Sequence, residues 1–188
     1  MNLFGTNKEQ QIIRRFGKGD ARAMDLLYAQ YADYLTGVAA RYLANREDLR
    51  DVLQESFIKI FTKFPSFQYR GSGSLQAWLT RVVVNESLLF LRQRHPEMLA
   101  DTETEPPDVP DEEPDVGAMT AEALMEMIAR LPTGYRTVFN LYAVEGKSHK
   151  EIAEILGIRP DTSASQFHKA RNLLARMIKE QRNKEERP

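Results

Sequence analysis

The C-terminal third of the chain contains the pattern that most constrains its fold, residues 148–178. Ser148 followed by Glu151 is a capping box, which marks the start of a helix. Gly157 suits the left-handed position at which a short helix ends, and a longer basic helix follows Pro160. Two helices joined by such a tight turn are typical of a helix-turn-helix, whose second helix enters the major groove of DNA.

The second helix of this motif is predicted to present donors and acceptors suited to bases and phosphates. Asp161 or Thr162 is its expected N-cap. The positions expected to be exposed are Ser165, Gln166, His168, Lys169, Asn172, Arg176 and Lys179. A basic amphipathic helix is also common as an ordinary solvated face, so the motif alone leaves that alternative open.

The first half of the chain predicts three amphipathic helices. After Asp20 as N-cap, apolar residues recur every three or four positions, at Met24, Leu27, Tyr28, Tyr31, Leu35, Val38 and Tyr42. A second helix spans Arg46 to Phe64 and ends at Pro65. A glycine-containing loop then leads to a third helix, 75–94, in which Trp78 falls on the apolar stripe and is assigned to the core.

Two more helices are predicted after residue 117, at 121–131 and 134–146, ahead of the helix-turn-helix. No useful length of the sequence alternates as a strand would. The expected fold is therefore all-α, with two small helical domains, the second of which contains the helix-turn-helix.

An acidic, proline-rich segment is predicted to join these domains. Residues 96–117 contain five prolines and nine Asp or Glu, without any Lys or Arg. Such a segment cannot bury enough apolar surface to offset its ordering entropy, so we expect an extended linker. The predicted domains are accordingly 1–95 and 118–188, whose net charges are +5 and +3.

Composition argues against several other classes of protein. The chain has no cysteine, so it offers neither disulfides nor thiolate metal sites. It has neither a long apolar run nor the apolar core of a signal peptide, which favours a cytoplasmic location. A carboxylate metal site at Asp108, Asp111, Glu112 and Glu113 would suit a metal-dependent phosphohydrolase. The nearby prolines and the lack of histidine argue against it, and no cofactor or metal is expected.

Three stretches together resemble the sigma factors of bacterial RNA polymerase, specifically their small extracytoplasmic-function (ECF) group. Residues 51–61 resemble the family's polymerase-binding helix, and 77–94 resemble its promoter-melting helix. Residues 131–158, with the helix at 161–178, resemble its second DNA-binding domain. The resemblance covers most of the chain in the family's order. It implies a non-enzymatic transcription initiation factor whose partners are core RNA polymerase, promoter DNA and a regulatory protein such as an anti-sigma factor.

The resemblance also implies roles for individual residues. Core polymerase is expected to bind one helix face together with Phe57, an aromatic residue expected to be exposed beside it. The residues assigned to this contact are Asp51, Gln54, Glu55, Phe57 and Ile58. Capture of the melted −10 strand falls on Phe67, Arg70, Ser72, Ser74, Arg81, Asn85 and Arg92. Contacts to the −35 element fall on Ser165, Gln166, His168, Lys169, Arg171 and Arg176.

The chain departs from the family pattern in three places. Ala164 and Gln166 stand where relatives often carry a cation, which predicts weaker or different −35 binding. Ser163 replaces a β-branched apolar residue, which predicts looser packing between the two helices of the motif. The loop at 67–74 carries extra residues around Gln68 and Tyr69, so its base preference does not transfer from relatives.

The family resemblance gives the acidic segment a sharper hypothesis. In sigma factors the linker threads the basic channels of the polymerase, where a strip of carboxylates mimics the charge of RNA. Replacing Asp108, Asp111, Glu112 and Glu113 with amides tests this through polymerase affinity. A competing hypothesis is a helix-turn-helix regulator that acts without joining the polymerase, which predicts tight binding of duplex DNA by the isolated protein.

Overall fold

The computed structural model describes residues 3–94, 96 and 119–185 of the chain. Apart from Pro96, the predicted acidic linker lies outside the described residues, and so does its alternative as a metal site. The chain divides into two compact units at Leu89–Phe90. No strand occurs in the described part of the chain, which confirms the all-α prediction. None of its helices is long and apolar enough to cross a bilayer.

The described part of the first unit is built from four helices and a short 3₁₀ turn, and the last of these helices continues past the division at Leu89–Phe90. The predicted helices are all present, and the structure adds a first helix that the sequence analysis did not predict. The elements are α1 (Leu3–Gly17), α2 (Arg22–Ala40), α3 (Arg46–Lys63), the 3₁₀ turn Phe64–Ser66, and α4 (Ser74–Arg94).

Helix α2 buries most of the predicted stripe, including Leu27, Tyr31, Leu35 and Val38, but two of the predicted residues are not buried. Ala23, Leu27 and Tyr31 lie four residues apart and are all buried. Met24 and Tyr28, which were predicted to share this stripe, are 44% and 56% exposed. Since neighbouring positions on a helix are rotated by about 100°, burial of Ala23 turns both residues toward the edge of the buried face.

The start of α2 shows why the helix begins where it does. The N-cap position of α2 is Ala21, without a side-chain cap hydrogen bond, so the predicted N-cap at Asp20 is wrong by one residue. Asp20 nevertheless accepts a hydrogen bond from the Arg22 amide at 3.0 Å. It also accepts one from the Arg15 guanidinium at 2.7 Å. The backbone hydrogen bond and the Arg15 charge lower the pKa of the Asp20 carboxyl. Asp20 therefore links the first residue of α2 to the end of α1.

Alkaline pH should destabilise the first unit through Tyr31. Burial, with the Glu9 carboxylate nearby, raises the pKa of Tyr31 to about 12, against roughly 10 in an unfolded chain. Only the unfolded state ionises within this window, so stability is complete below about pH 10 and falls as the pH rises toward 12. We expect Tyr31 to account for a loss of about 2 kcal/mol. The free energy of unfolding, measured by urea unfolding between pH 10 and 12, should fall less with pH in Tyr31→Phe than in the wild type. An equal fall in the two proteins would contradict the assignment.

Between residues 119 and 185 the second unit contains four helices, one of which continues into a π-helical segment. The elements are α5 (Ala121–Ala129), α6 (Thr133–Phe139) with the π segment Asn140–Val144, α7 (His149–Leu156), and α8 (Pro160–Glu185). One buried cluster of this unit lies where α5 and the residue Leu131 after it meet the middle of α8: Met127, Leu131, Ala170, Leu174 and Ile178. Further buried apolar residues come from α6, the π segment and α7: Val138, Leu141, Ile152, Ala153 and Leu156.

The helix-turn-helix is built by the local signals that the sequence predicts. The Ser148 hydroxyl accepts from the Glu151 amide at 3.3 Å, and the Glu151 carboxylate accepts from the Ser148 amide at 2.9 Å, so the capping box is confirmed. Gly157 ends α7 in the left-handed conformation with φ of 72°. The predicted N-cap of the last helix is wrong. Helix α8 already begins at Pro160, so Asp161 lies within its first turn and pairs with Arg159 at 3.1 Å.

Candidate functional site

The outer face of α3 carries the predicted polymerase-binding residues. Asp51, Gln54, Glu55 and Ile58 are all exposed, and Ile58 is an apolar side chain with half of its surface in solvent. The prediction of an exposed aromatic at Phe57 is wrong, because Phe57 is only 9% exposed. The Phe57 side chain is instead buried beside this face, where α2 packs against α3.

A groove between α2 and α3 adjoins this face. It has a volume of about 490 Å³, and Phe57 forms part of its floor. The ring of Phe57 lies 4.9 Å from Tyr28 and 5.9 Å from Phe61, between ring centroids. The exposure of Tyr28 places it on the groove wall. The exposed Ile58 and this aromatic floor therefore form one apolar strip bordered by the polar residues of α3.

A second groove lies between the loop before α4 and the first two turns of that helix. We call it the loop groove; its volume is about 440 Å³, and its lining includes Ser66, Phe67, Gln68, Arg70, Trp78 and Arg81. The prediction that Trp78 is a core residue is incomplete. Trp78 is half-buried, with its ring 5.3 Å from Phe67 and edge-on to Phe64 at 5.9 Å. The groove thus has aromatic walls and two guanidinium groups at its rim.

The loop itself is shaped by two glycines and one serine. Gly71 and Gly73 have φ angles of 115° and 84°, a region that other residues rarely adopt. The Ser74 hydroxyl accepts from the Arg70 amide at 3.2 Å, which holds Arg70 over the start of α4. Ser74, predicted as a DNA contact, therefore has its hydroxyl engaged with the loop backbone, while Ser72 is exposed.

The remaining residues predicted to meet the −10 strand extend from the loop groove along α4. Arg81, Asn85 and Arg92 are all exposed, and their spacings of four and seven residues place them on one side of the helix. Beside them, Glu86 accepts a hydrogen bond from Lys59 of α3 at 2.5 Å. This ion pair links α4 to α3 beside the row formed by Arg81, Asn85 and Arg92.

The last helix presents a narrower surface than the sequence predicts. Ala164, His168 and Arg176 are exposed, and Ser165, Lys169 and Arg171 are half-buried. The predicted exposure of Gln166 and Asn172 is wrong, since they are 1% and 7% exposed. The Asn172 amide lies 3.1 Å from the imidazole of His168. Gln166 faces the interior because it lies three residues after the fully buried Ser163 and four before the fully buried Ala170.

The two helices of the motif are joined by a buried polar contact. Ser163 is fully buried, and its hydroxyl lies 3.0 Å from Nδ1 of His149. The His149 ring stacks on Tyr142 at 4.6 Å, and Tyr142 lies 4.4 Å from Phe167. Ser163 therefore contributes a part-buried hydrogen bond with aromatic support to the crossing, and the looser packing expected relative to the family stays a prediction.

Sequence patterns could have revealed some of what the prediction missed. Trp78 lies four residues from Ser74 and three from Arg81, so it borders the polar side of α4 as well as the apolar stripe. Gln68 stood within the predicted loop, although its place on the groove depends on how the loop folds back over α4. Among the described residues, none of the His, Asp and Glu side chains form a group able to hold a metal ion.

Comparisons with known proteins agree with this arrangement. Residues 27–96 match the family described as Sigma-70 region 2, and residues 121–174 match Sigma-70 region 4. The chain is 31% identical to an ECF RNA polymerase sigma-E factor of Haemophilus influenzae over 90% of this chain and 95% of that one. It is 27% identical to the ECF RNA polymerase sigma factor SigW of Bacillus subtilis over 89% and 95% of the two chains.

A comparison with solved structures matched that of the sigma factor RpoE in complex with the anti-sigma factor NepR from Bartonella quintana. The identity is 21%, with 85% of this chain and 98% of that chain covered, and the TM-score is 0.46.

Proposed function

Because the chain belongs to the ECF group of bacterial RNA polymerase sigma factors, we propose that its first unit holds core polymerase and captures the −10 strand while its second unit contacts the −35 element. As an alternative sigma factor it directs promoter-specific initiation. It acts in the cytoplasm beside the polymerase, which supplies the chemistry of RNA synthesis. The predicted domains 1–95 and 118–188, joined by the acidic linker, remain part of this proposal.

The loop groove is the observation that carries the proposal. Bases taken out of a duplex are held in proteins by stacking on aromatic side chains, and their phosphates by cations. Phe67 and Trp78 supply the aromatic walls, and Arg70 and Arg81 supply the cations at the rim. A groove of about 440 Å³ has room for one base, whereas a double helix cannot enter it.

Asn85 extends this site along α4. Its amide is exposed one turn beyond Arg81, and an amide can pair bidentately with the edge of an unstacked base. Arg92 lies two turns further on, at a distance that suits the phosphate of a following nucleotide. A single strand leaving the loop groove along α4 would thus meet a polar and cationic row.

Core polymerase would bind the outer face of α3 and the adjoining groove. The apolar strip of Ile58 and the groove floor, ringed by Asp51, Gln54 and Glu55, has the composition of an interface hot spot with a polar rim. Phe57 supports this strip from beneath instead of reaching the partner. An anti-sigma factor or another regulatory partner remains a prediction from the family.

The −35 element would be contacted by the exposed and half-buried residues at the start of α8. Ser165, His168, Lys169 and Arg171 lie on its outward side, and Arg176 follows within reach of the backbone. Burial removes Gln166 from this set. Gln166 instead sets how α8 packs, and its influence on DNA binding would be indirect.

Reconstitution with core polymerase tests the proposed function. The purified protein should form a stable complex with core enzyme, and the complex should give run-off transcripts from a promoter selected out of a randomised library. The free protein should bind duplex DNA weakly. Failure to join the polymerase, combined with tight binding of a duplex by the free protein, would favour the regulator alternative.

Introducing a cation at Ala164 should strengthen −35 binding. Ala164 is exposed at the start of α8, so Ala164→Lys adds one phosphate contact. Affinity for the −35 duplex should rise, and the slope of log K against log salt should steepen by about 1. Gln166→Lys is the matched control. It places the same charge at a buried position, so it should lower the melting temperature without the gain in affinity; a gain there equal to that of Ala164→Lys would contradict this placement.

A further inference from the structure

Glu9 of α1 lies against the beginning of α4, although the two are far apart in sequence. Its side chain is only 4% exposed. One carboxylate oxygen accepts from the Gly73 amide at 2.9 Å, and the other accepts from the Gln76 amide at 3.3 Å. The first amides of a helix lack partners within it and carry positive partial charge, so a carboxylate satisfies both their hydrogen bonding and their charge.

This contact fixes the chain at the point where the loop groove meets α4. Gly73 has a left-handed backbone, and two residues earlier Gly71 does as well, so the loop has wide conformational freedom of its own. Glu9 restrains Gly73 from one side, while Ser74 ties the Arg70 amide from the other. Together they set where the guanidinium-bearing rim stands relative to the aromatic walls.

A second contact places α1 beneath the floor of the same groove. Phe16 stacks on Phe64 with ring centroids 3.7 Å apart. Phe64 in turn contacts Phe67 at 5.7 Å and Trp78 at 5.9 Å. Helix α1 therefore supports both the rim and the aromatic walls, even though it precedes residue 27, where the match to Sigma-70 region 2 begins.

We propose that Glu9 is a positioning residue for capture of the −10 strand. It holds the loop groove in its binding shape through the Gly73 and Gln76 amides and does not itself touch DNA, since it is buried and negatively charged. This inference rests on the proposed function of the loop groove. It adds a residue that supports the groove from outside the region matched to Sigma-70 region 2. A residue that merely stabilised the fold would affect core binding and strand binding alike, whereas Glu9 acts on strand binding and base discrimination.

The test compares Glu9→Gln with Asp20→Asn in the full-length protein bound to core polymerase. Both changes replace a carboxylate that accepts backbone amide hydrogen bonds at the start of a helix, but Asp20 does so at α2, and neither it nor its partners Arg15 and Arg22 line the loop groove. The probe is a fluorescent single strand carrying the −10 sequence that the wild-type holoenzyme selects from a randomised pool. Variants of this strand with each other base at the captured position measure discrimination.

We expect Glu9→Gln to weaken strand binding roughly tenfold and to reduce base discrimination, because the carboxamide keeps one oxygen acceptor but turns an NH₂ donor toward the second backbone N–H. Core affinity should stay within about twofold of wild type, and Asp20→Asn should retain strand binding. Wild-type strand binding and discrimination in Glu9→Gln, or an equal loss in Asp20→Asn, would overturn the proposal.

Two further variants complete the design. If Glu9→Gln does not fold, Glu9→Asp takes its place, since it keeps the charge but shortens the reach by one carbon. Glu9→Asp should also lose base discrimination at the captured position, and discrimination equal to that of the wild type would contradict the proposal. Phe67→Ala separates this inference from the proposed function. If Phe67→Ala leaves strand binding unchanged, the loop groove is not the capture site. If Phe67→Ala loses strand binding and Glu9→Gln does not, only the role of Glu9 is rejected.

Discussion

Replacing Ile58 with glutamate should weaken the binding of core polymerase roughly 100-fold, which corresponds to about 3 kcal/mol. Ile58 is a half-exposed apolar side chain at the centre of a face that otherwise carries carboxylates and an amide. A glutamate there would bring an unpaired charge into the part of the interface that must lose its water. The fold should be unaffected, since the side chain is already half in solvent.

Fluorescence titration of labelled core polymerase measures this effect. Met125→Glu is the control, because it makes the same apolar-to-acidic change at a residue that is 58% exposed in the second unit. Ile58→Leu should retain binding. Equal affinities of Ile58→Glu and Met125→Glu would remove the α3 face from the polymerase interface.

Replacing Phe67 with leucine should reduce capture of the −10 single strand about 30-fold. Stacking of one base on an aromatic ring contributes about 1–3 kcal/mol, and Phe67 is a half-buried ring that lines the loop groove. Leucine keeps an apolar side chain against Phe64 but offers no π face. The change therefore separates loss of stacking from loss of packing.

The same position provides its own control. Phe67→Tyr keeps the aromatic face and should retain most of the strand binding, with melting temperatures of both variants close to that of the wild type. Anisotropy of a labelled −10 strand on the reconstituted holoenzyme is the measurement. If the leucine and tyrosine variants bind the strand equally well, the groove does not work by stacking.

Local chemistry made much of the fold predictable. A capping box, a left-handed glycine and a proline each act within a few residues, and they place the start of α7, its end and the end of α3. The exposed polar positions of α3 and α4 followed from helical spacing in the same way. These features need no knowledge of what packs against the helix.

The errors arose where a neighbouring element decides which side of a helix is buried. Met24, Tyr28 and Phe57 are all apolar, so spacing alone cannot tell which of them reaches the core. Burial of the polar Gln166 depends on the packing of α8 against the rest of its unit. The docking of helix α1 through Glu9 depends on amides more than sixty residues away.

The interior position of Gln166 limits how this protein can be redirected to a new promoter. A change at that site alters the seating of the whole helix before it alters any base contact, so new specificity must come from Ala164, Ser165 and His168 instead. Selection of variants with altered promoter choice would therefore enrich substitutions at those three sites, while Gln166 would stay fixed in functional clones.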